Sequence, residues 1–94
     1  MEPKYKDLTF KSKEKFNAWL KSKTKWILNF EDKGQDFLRW WVDARGEVLN
    51  CEPFQSRIWN GSMIMPNSIK KGEKICFQDG RVLNYKTIKV ENIK

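Results

Sequence analysis

The densest apolar run in the sequence is Phe37–Asp43, and its side chains alternate in character. Successive side chains of a β-strand point to opposite faces, so this run predicts a strand with one apolar face and one mixed face. The apolar face consists of Leu38, Trp40 and Val42. The mixed face consists of Phe37, Arg39 and Trp41. We expect the apolar face to lie in the core. The mixed face needs a covering element or a partner, because it carries large aromatic rings.

A second apolar run, Val48–Cys51, follows after the polar segment Asp43–Gly46. This spacing predicts a β-hairpin with a two-residue turn at Arg45 and Gly46. The predicted register makes three cross-strand pairs, which are Val42 with Leu49, Trp40 with Cys51, and Arg39 with Glu52. It gives one uniformly apolar face and one pair of opposite charges.

A second hairpin is predicted around Asp79-Gly80, a dipeptide typical of a type I′ turn. Its strands are residues 74–78 and 81–85, with Phe77 opposite Val82 and Cys76 opposite Leu83. The motif Gly-x-Val-Leu-Asn occurs at residues 46–50 and again at 80–84. The recurrence fits two hairpins of similar construction.

Residues 12–22 have the pattern of one amphipathic helix. Ser12 is a suitable N-cap, and Glu14 in the first turn suits the helix dipole. Phe16, Trp19 and Leu20 follow the helical i, i+3, i+4 spacing, so they share a face that we expect to pack on the strands.

The other segments predict short strands. Trp26, Leu28 and Phe30 alternate onto one face of a strand at 26–30. Residues 62–65 form a short strand that ends before Pro66, a loop follows at 67–72, and a last strand runs from Thr87 to about Ile93.

One helix and about six or seven short strands predict a single α+β domain over residues 1–94. We expect residues 1–7 to fray, a helix at 12–22, and β-rich structure over 25–93. The expected architecture is an N-terminal amphipathic helix packed on a small antiparallel β-barrel or strongly curved sheet, SH3-like or similar, because closure removes free edges. The alternative is an open sheet of about five strands with the helix on one face.

The chain is strongly basic, with 19 Lys and Arg against 12 Asp and Glu and a net charge of +7. The charge is uneven, with net +5 over residues 1–25, −2 over 26–59 and +4 over 60–94. A basic head and tail around an acidic middle favour an anionic partner. The alternative is that the lysines form an ordinary solvated surface.

The residue content argues against catalysis, metal binding and cofactors. The sequence has no histidine, and Cys51 and Cys76 do not form a CxxC pair. It therefore lacks an ordinary general base for neutral pH and a zinc motif. It also has no glycine-rich phosphate loop. The N-terminus has no apolar signal segment, so we expect a cytoplasmic protein with reduced thiols and no membrane span.

Two binding hypotheses follow. The first is a protein-interaction module, of the accessory or inhibitory kind that phages and mobile elements encode, which binds another protein or a second copy of itself. Protein interfaces favour aromatic, methionine and arginine side chains. The candidate partner-binding residues are Phe37, Trp41, Arg57, Trp59, Met63 and Met65.

The second hypothesis is binding of single-stranded nucleic acid or RNA. Lysine and arginine neutralise phosphate, and a flat ring stacks on a base. The candidate residues are Lys70, Lys71, Lys74, Arg81, Tyr85 and Trp41. Apolar association tolerates salt and phosphate binding does not, so the two hypotheses make opposite predictions about salt.

Overall fold

The computed structural model describes residues 2, 4–6, 8–32, 35–52, 59–71, 74–84 and 87–93, with the side chains of all of these except 31–32, 35–38, 70–71 and 87. The described part of the chain contains eight strands and two helices. In chain order these are β1 (Lys4–Tyr5), β2 (Leu8–Thr9), α1 (Lys13–Lys23), β3 (Thr24–Asp32), β4 (Gln35–Asp43), β5 (Val48–Glu52), α2 (Pro66–Lys71), β6 (Lys74–Cys76), β7 (Val82–Asn84) and β8 (Thr87–Asn92).

Helix α1 is capped at both ends by hydrogen bonds. Ser12 is the N-cap, and its Oγ accepts a bond from the Lys15 backbone N–H at 3.1 Å. At the other end, the Thr24 backbone N–H and hydroxyl both donate to the Leu20 carbonyl. Thr24 has extended backbone angles, so the helix ends where β3 begins. This direct junction fixes the position of α1 relative to the sheet.

The centre of the fold is a four-stranded antiparallel sheet with the order β5-β4-β3-β8. One face of this sheet is apolar and buried, as the alternation in residues 26–30 and 38–42 predicts. Its buried side chains are Trp26, Leu28, Phe30, Trp40, Val42, Val48, Cys51 and Ile88. We call the cluster on this face the main core.

A second layer covers the main core. It consists of α2, the hairpin β6–β7 and the segment 63–65, which supply Ile64, Ile69, Ile75 and Phe77. Segment 63–65 links the two layers, because Met63 pairs with Glu47 before β5 and Ile64 pairs with Phe77 after β6. The chain therefore curls around the main core from β5 to β7.

The opposite face of the sheet is covered by the first part of the chain. Tyr5, Phe16, Leu20 and Leu49 form a second buried cluster, and Phe10, Trp19 and Trp41 pack against it. We call this cluster the second core. Trp41 is half-buried there. The second core therefore covers the Trp41 ring in part.

The structure contradicts the predicted architecture in two respects. The sheets are not closed into a barrel, and the helix is not the N-terminal element, because the hairpin β1–β2 precedes it. The open alternative also differs, since the central sheet has four strands and is covered on both faces. Covering layers bury the apolar side chains that a barrel interior would otherwise enclose, so closure is not required.

Within the segment 1–7, for which we expect fraying, the structure describes residues 2 and 4–6, and two of these belong to a hairpin. Lys4 pairs with Thr9 and Tyr5 pairs with Leu8. Tyr5 is 4% exposed, and its ring lies 5.2 Å from that of Trp19. The aromatic contact with α1 holds this short polar segment on the domain.

The central hairpin is closed by a three-residue turn, and the predicted two-residue turn is wrong. The Asp43 amide donates to the Glu47 carbonyl and the Gly46 amide donates to the Asp43 carbonyl, each at 3.0 Å. A bulge beside Trp41 then restores part of the predicted register. The observed pairs are Val42 with Val48, Trp41 with Asn50, Trp40 with Cys51, and Arg39 with Glu52.

The bulge explains the one incorrect pair in that hairpin. Leu49 was predicted to lie opposite Val42 in the main core, but it belongs to the second core. An extra residue in one strand reverses the face of its neighbours, so Leu49 moves to the side of α1.

The C-terminal hairpin has the same three-residue turn. The Phe77 amide donates to the Arg81 carbonyl at 2.9 Å, and the Gly80 amide donates to the Phe77 carbonyl at 3.1 Å. Cys76 therefore pairs with Val82, and the predicted pairs of Phe77 with Val82 and Cys76 with Leu83 are wrong. The recurring Gly-x-Val-Leu-Asn motif begins at the third residue of this turn in both hairpins.

The loop predicted at residues 67–72 is also wrong over residues 67–71, because Pro66–Lys71 forms α2, and residue 72 lies outside the described residues. Pro66 occupies the first helical position, where its fixed φ and missing N–H are tolerated. The Ser68 amide and hydroxyl donate to the Met65 carbonyl at 2.9 and 2.8 Å. Ile69 is 1% exposed and packs in the main core, which favours the helix over a loop.

We expect Gly46→Ala to lower the free energy of unfolding by about 3 kcal/mol and Gly80→Ala by about 1 kcal/mol. Both glycines have a positive φ, +93° and +95°, where an L side chain is strained. At Gly46 a Cβ would also overlap the Ile64 carbonyl, whereas at Gly80 it would meet no described atom within 4 Å. Urea denaturation measures both values. Equal destabilisation by the two substitutions would contradict the close approach of segment 63–65 to the central turn.

Candidate functional site

The structure describes only part of the predicted candidate set. Arg57 and Tyr85 lie outside the described residues, and Phe37, Lys70 and Lys71 lie in described strands or helices without described side chains. The candidates with described side chains are Trp41, Trp59, Met63, Met65, Lys74 and Arg81.

Trp41 lies on the other side of the central sheet from Trp59. Trp40 and Trp41 are neighbours in β4, and their side chains point to opposite faces. Trp41 packs against the second core, whereas Trp59 packs against the main core. The structure therefore does not bring Trp41 together with Arg81, whose guanidinium lies over Trp59.

Trp59, Phe77 and Arg81 form one contact at the end of the main core. The rings of Trp59 and Phe77 are stacked, with centroids 4.9 Å apart and planes inclined by 15°. The Arg81 Cζ lies 4.9 Å from the Trp59 centroid and 4.8 Å from the Phe77 centroid. The Trp40 ring, at the centre of the main core, lies 5.6 Å from that of Trp59. This chain of rings ties the site to the most buried part of the fold.

Two polar side chains hold the Arg81 guanidinium in place. Its Nε donates to Asp79 Oδ2 at 2.6 Å, and its Nη2 donates to Ser62 Oγ at 3.1 Å. The Arg81 backbone N–H donates to Asp79 Oδ1 at 3.1 Å. This backbone bond, and to a smaller extent the guanidinium, holds the pKa of Asp79 below its ordinary value of 3.8. The charge of Arg81 is thus balanced within the turn.

A cleft of about 610 Å³ opens beside this contact, and we call it the Arg81 cleft. Its lining mixes polar groups with one thioether: Asn60, Gly61, Ser62, Met63, Gln78, Asp79 and Arg81. The Asn60 Oδ1 is buried and has no hydrogen-bond partner among the described residues.

An exposed apolar row runs across the outer face of β6–β7. Cys76 pairs with Val82 on one side, and on the other side the Met65 N–H donates to the Cys76 carbonyl at 2.8 Å. Met65 is 48% exposed, Val82 is 49% exposed and Cys76 is half-buried. We call Met65, Cys76 and Val82 the apolar row. Met63, which precedes Met65 by two residues, lines the Arg81 cleft.

Sequence reasoning missed Ser62, Asp79 and Val82 as parts of this surface. Asp79 carries a local signal, because an aspartate in a turn readily accepts a bond from the backbone N–H two residues later. The assumed two-residue turn assigned Val82 to the face of Phe77. Ser62 carries no signal, since its contact with Arg81 joins distant parts of the chain.

A second groove, of about 500 Å³, lies beside the hairpin β1–β2. Lys6 Nζ and Arg45 Nη2 each lie 3.2 Å from a Glu47 carboxylate oxygen, and Arg45 Nη2 lies 3.3 Å from Asp43 Oδ2. The Glu47 side chain is only 9% exposed, and burial raises its pKa. These charges are paired with one another, so the cluster fastens the N-terminal hairpin to the central turn.

The described residues contain no group of three or more acidic, cysteine or histidine side chains arranged to hold a metal ion. Among the described helices, none has both the length and the apolar character needed to cross a membrane. No protein-family model, curated protein or solved structure matches this chain.

We expect Arg81→Gln to raise the pKa of Asp79 only part of the way to 3.8. The substitution removes the guanidinium but keeps the backbone N–H of residue 81, which is the larger cause of the shift. NMR titration of the Asp79 side-chain carbonyl carbon measures this pKa. Ser62→Ala is the matched control, because it removes a contact of the guanidinium but none of Asp79. A full return to 3.8 would contradict the role of the backbone bond.

Proposed function

We propose that this protein is a non-catalytic binding module whose partner is another protein. The proposed contact surface is the Arg81 cleft together with the apolar row. One observation carries the proposal. Of the residues that the sequence suggests for partner binding, Met63 lines the Arg81 cleft, Trp59 lies beneath the Arg81 guanidinium, and Met65 is exposed in the apolar row with Val82.

The chemistry of this surface supports a protein partner. Methionine, aromatic and arginine side chains are enriched in protein interfaces, and methionine adapts its shape to an apolar partner. Met65 and Val82 expose about half of their side-chain surface, and no described element covers them. A partner segment that buries this row would remove apolar area from water, which is the main favourable term in association.

The nucleic-acid alternative has less support at this surface. Arg81 is paired with Asp79, and its guanidinium already lies on the rings of Trp59 and Phe77. Its positive charge and its stacking surface are thus both used within the chain. Trp41, the ring proposed for base stacking, packs against the second core. Lys74 is exposed, but it is the only described lysine on β6–β7.

The kind of function follows from the chemistry that the chain has and lacks. A chain without histidine, carrying exposed methionine and valine side chains beside a paired arginine, suits an accessory or inhibitory protein that acts by occupying a partner's surface. A cytoplasmic location is part of this proposal, because the sequence has only two cysteines and they do not form a paired CxxC motif.

The proposal predicts that Met65→Ser combined with Val82→Ser abolishes partner binding. Both side chains are half-exposed, so their loss should change stability by less than about 1 kcal/mol while it removes apolar contact with the partner. Affinity capture from nuclease-treated lysate, at moderate salt, compares this double variant with the parent chain. A captured protein is then purified and its binding to both chains is measured by titration calorimetry.

Leu8→Ser is the matched control, because Leu8 is equally exposed, at 51%, but lies on β2. It should bind the captured protein as the parent chain does. A partner that binds the double variant and the parent chain equally would contradict the proposed surface. Loss of every partner after nuclease treatment, together with salt-sensitive binding of a single-stranded oligonucleotide, would favour the nucleic-acid alternative.

A further inference from the structure

The outer edge of β8 is an unusual feature of the central sheet. β8 is six residues long, and β3 is the only described strand that pairs with it. Unprotected edges of this length invite pairing with another strand, because they present rows of backbone donors and acceptors. This edge is distinct from the Arg81 cleft and the apolar row.

The register identifies the backbone groups that face outward from this edge. The Ile93 N–H donates to the Lys25 carbonyl at 2.9 Å. In an antiparallel pair, residues alternate between bonding to the neighbouring strand and facing away from it. The odd-numbered residues of β8 therefore bond to β3, and the backbone groups of Ile88, Val90 and Asn92 point to the outer edge.

We propose that two copies of this chain pair through the outer edges of β8, antiparallel and about a two-fold axis at Val90. This register places Val90 opposite Val90 of the second copy, and Ile88 opposite its Asn92. The backbone N–H and C=O groups of all three residues face outward, so those of one copy meet those of the other and can form the interchain hydrogen bonds. The product is one continuous sheet across both copies.

Charge favours the same register. Lys89 and Glu91 are exposed and lie on the same face of β8. An axis at Val90 sets Lys89 opposite Glu91 of the second copy, and the symmetry makes this pair twice. A two-fold axis at Ile88 or Asn92 also brings outward-facing backbone groups together. It forms neither Lys89–Glu91 pair, however, and it shortens the ladder. An axis at Lys89 or Glu91 sets that charged residue directly opposite its own copy, which places like charges together.

A second copy fits this edge better than an arbitrary strand does. A foreign strand must supply a cation and an anion in the correct order, whereas β8 supplies them to itself. The interface is small, so we expect weak and reversible association.

Sedimentation equilibrium of the full chain at low salt, over a wide range of concentration, tests the proposal. The parent chain should show a monomer–dimer equilibrium. Lys89→Glu and Glu91→Lys each set like charges opposite one another at both pairs, and each should weaken the dimer by about tenfold. The double substitution K89E/E91K restores opposite charges in reversed order, and it should return the dissociation constant to that of the parent chain.

Two further variants separate the edge from effects on the fold. Val90→Pro removes an N–H that faces away from β3, so it should abolish the dimer while circular dichroism shows that the sheet is retained. Lys13→Glu makes the same change in net charge on α1 and should leave the dimer intact. Glu91 also accepts a hydrogen bond from Asn29 at 3.2 Å, so thermal unfolding is recorded for every variant.

The possible outcomes are distinct. Rescue by the double substitution supports the proposal and its register. A chain that stays monomeric at every concentration overturns it, as does a dimer that tolerates both single charge reversals and Val90→Pro. Protection of β8 amides that appears only when another protein is added would assign the edge to a foreign strand and also overturn the proposal. None of these outcomes depends on Met65 or Val82, so this proposal can fail independently of the proposed function.

Discussion

The fold depends on burying large aromatic side chains on both faces of one sheet. Trp40 and Trp41 are adjacent in β4, so strand geometry sends two indole rings in opposite directions. One layer cannot cover both rings. The chain meets this constraint with α2, β6–β7 and segment 63–65 on one face, and with β1–β2 and α1 on the other. The elements before β3 pack on one face, and the elements between β5 and β8 pack on the other.

Local patterns were sufficient to predict the parts of the fold that depend on alternation. Trp26, Leu28 and Phe30 share a face because every second residue of a strand does, and Ser12 caps α1 because its side chain reaches the amide of the next turn. The register of the hairpins depended on turn length, which the dipeptides Arg45-Gly46 and Asp79-Gly80 suggested incorrectly. A three-residue turn with glycine at its third position contains the same dipeptide and the residue before it. It shifts the cross-strand pairing by one residue.

The covering layers could not be predicted from local patterns. Lys4 and Tyr5 lie in a polar and basic segment, and only the distant ring of Trp19 gives Tyr5 a reason to be buried. The barrel prediction assumed that free edges must be removed by closure. The structure instead leaves β8 at an edge of the central sheet, where β3 is the only described strand that pairs with it.

The division between the two faces also determines which aromatic residues are available for binding. Trp41 packs against the second core. Trp59 stacks on Phe77 at the end of the main core, where the Arg81 guanidinium lies close to both rings. The aromatic residues therefore serve mainly as structure. The exposed apolar contribution comes from Met65 and Val82, which strand alternation alone did not single out. The turn geometry, more than the number of tryptophans, therefore determines which side chains form the candidate site.

The most direct test of this account is a nuclear Overhauser experiment on the Trp41 indole ring. Because Trp41 packs against the second core, its ring protons should show cross-peaks to side chains of that core. The backbone amides of α1, which supplies part of the second core, should exchange slowly with solvent. A Trp41 ring that shows no cross-peak to Tyr5, Phe16, Leu20 or Leu49 would contradict the claim that the chain covers both faces of its own sheet.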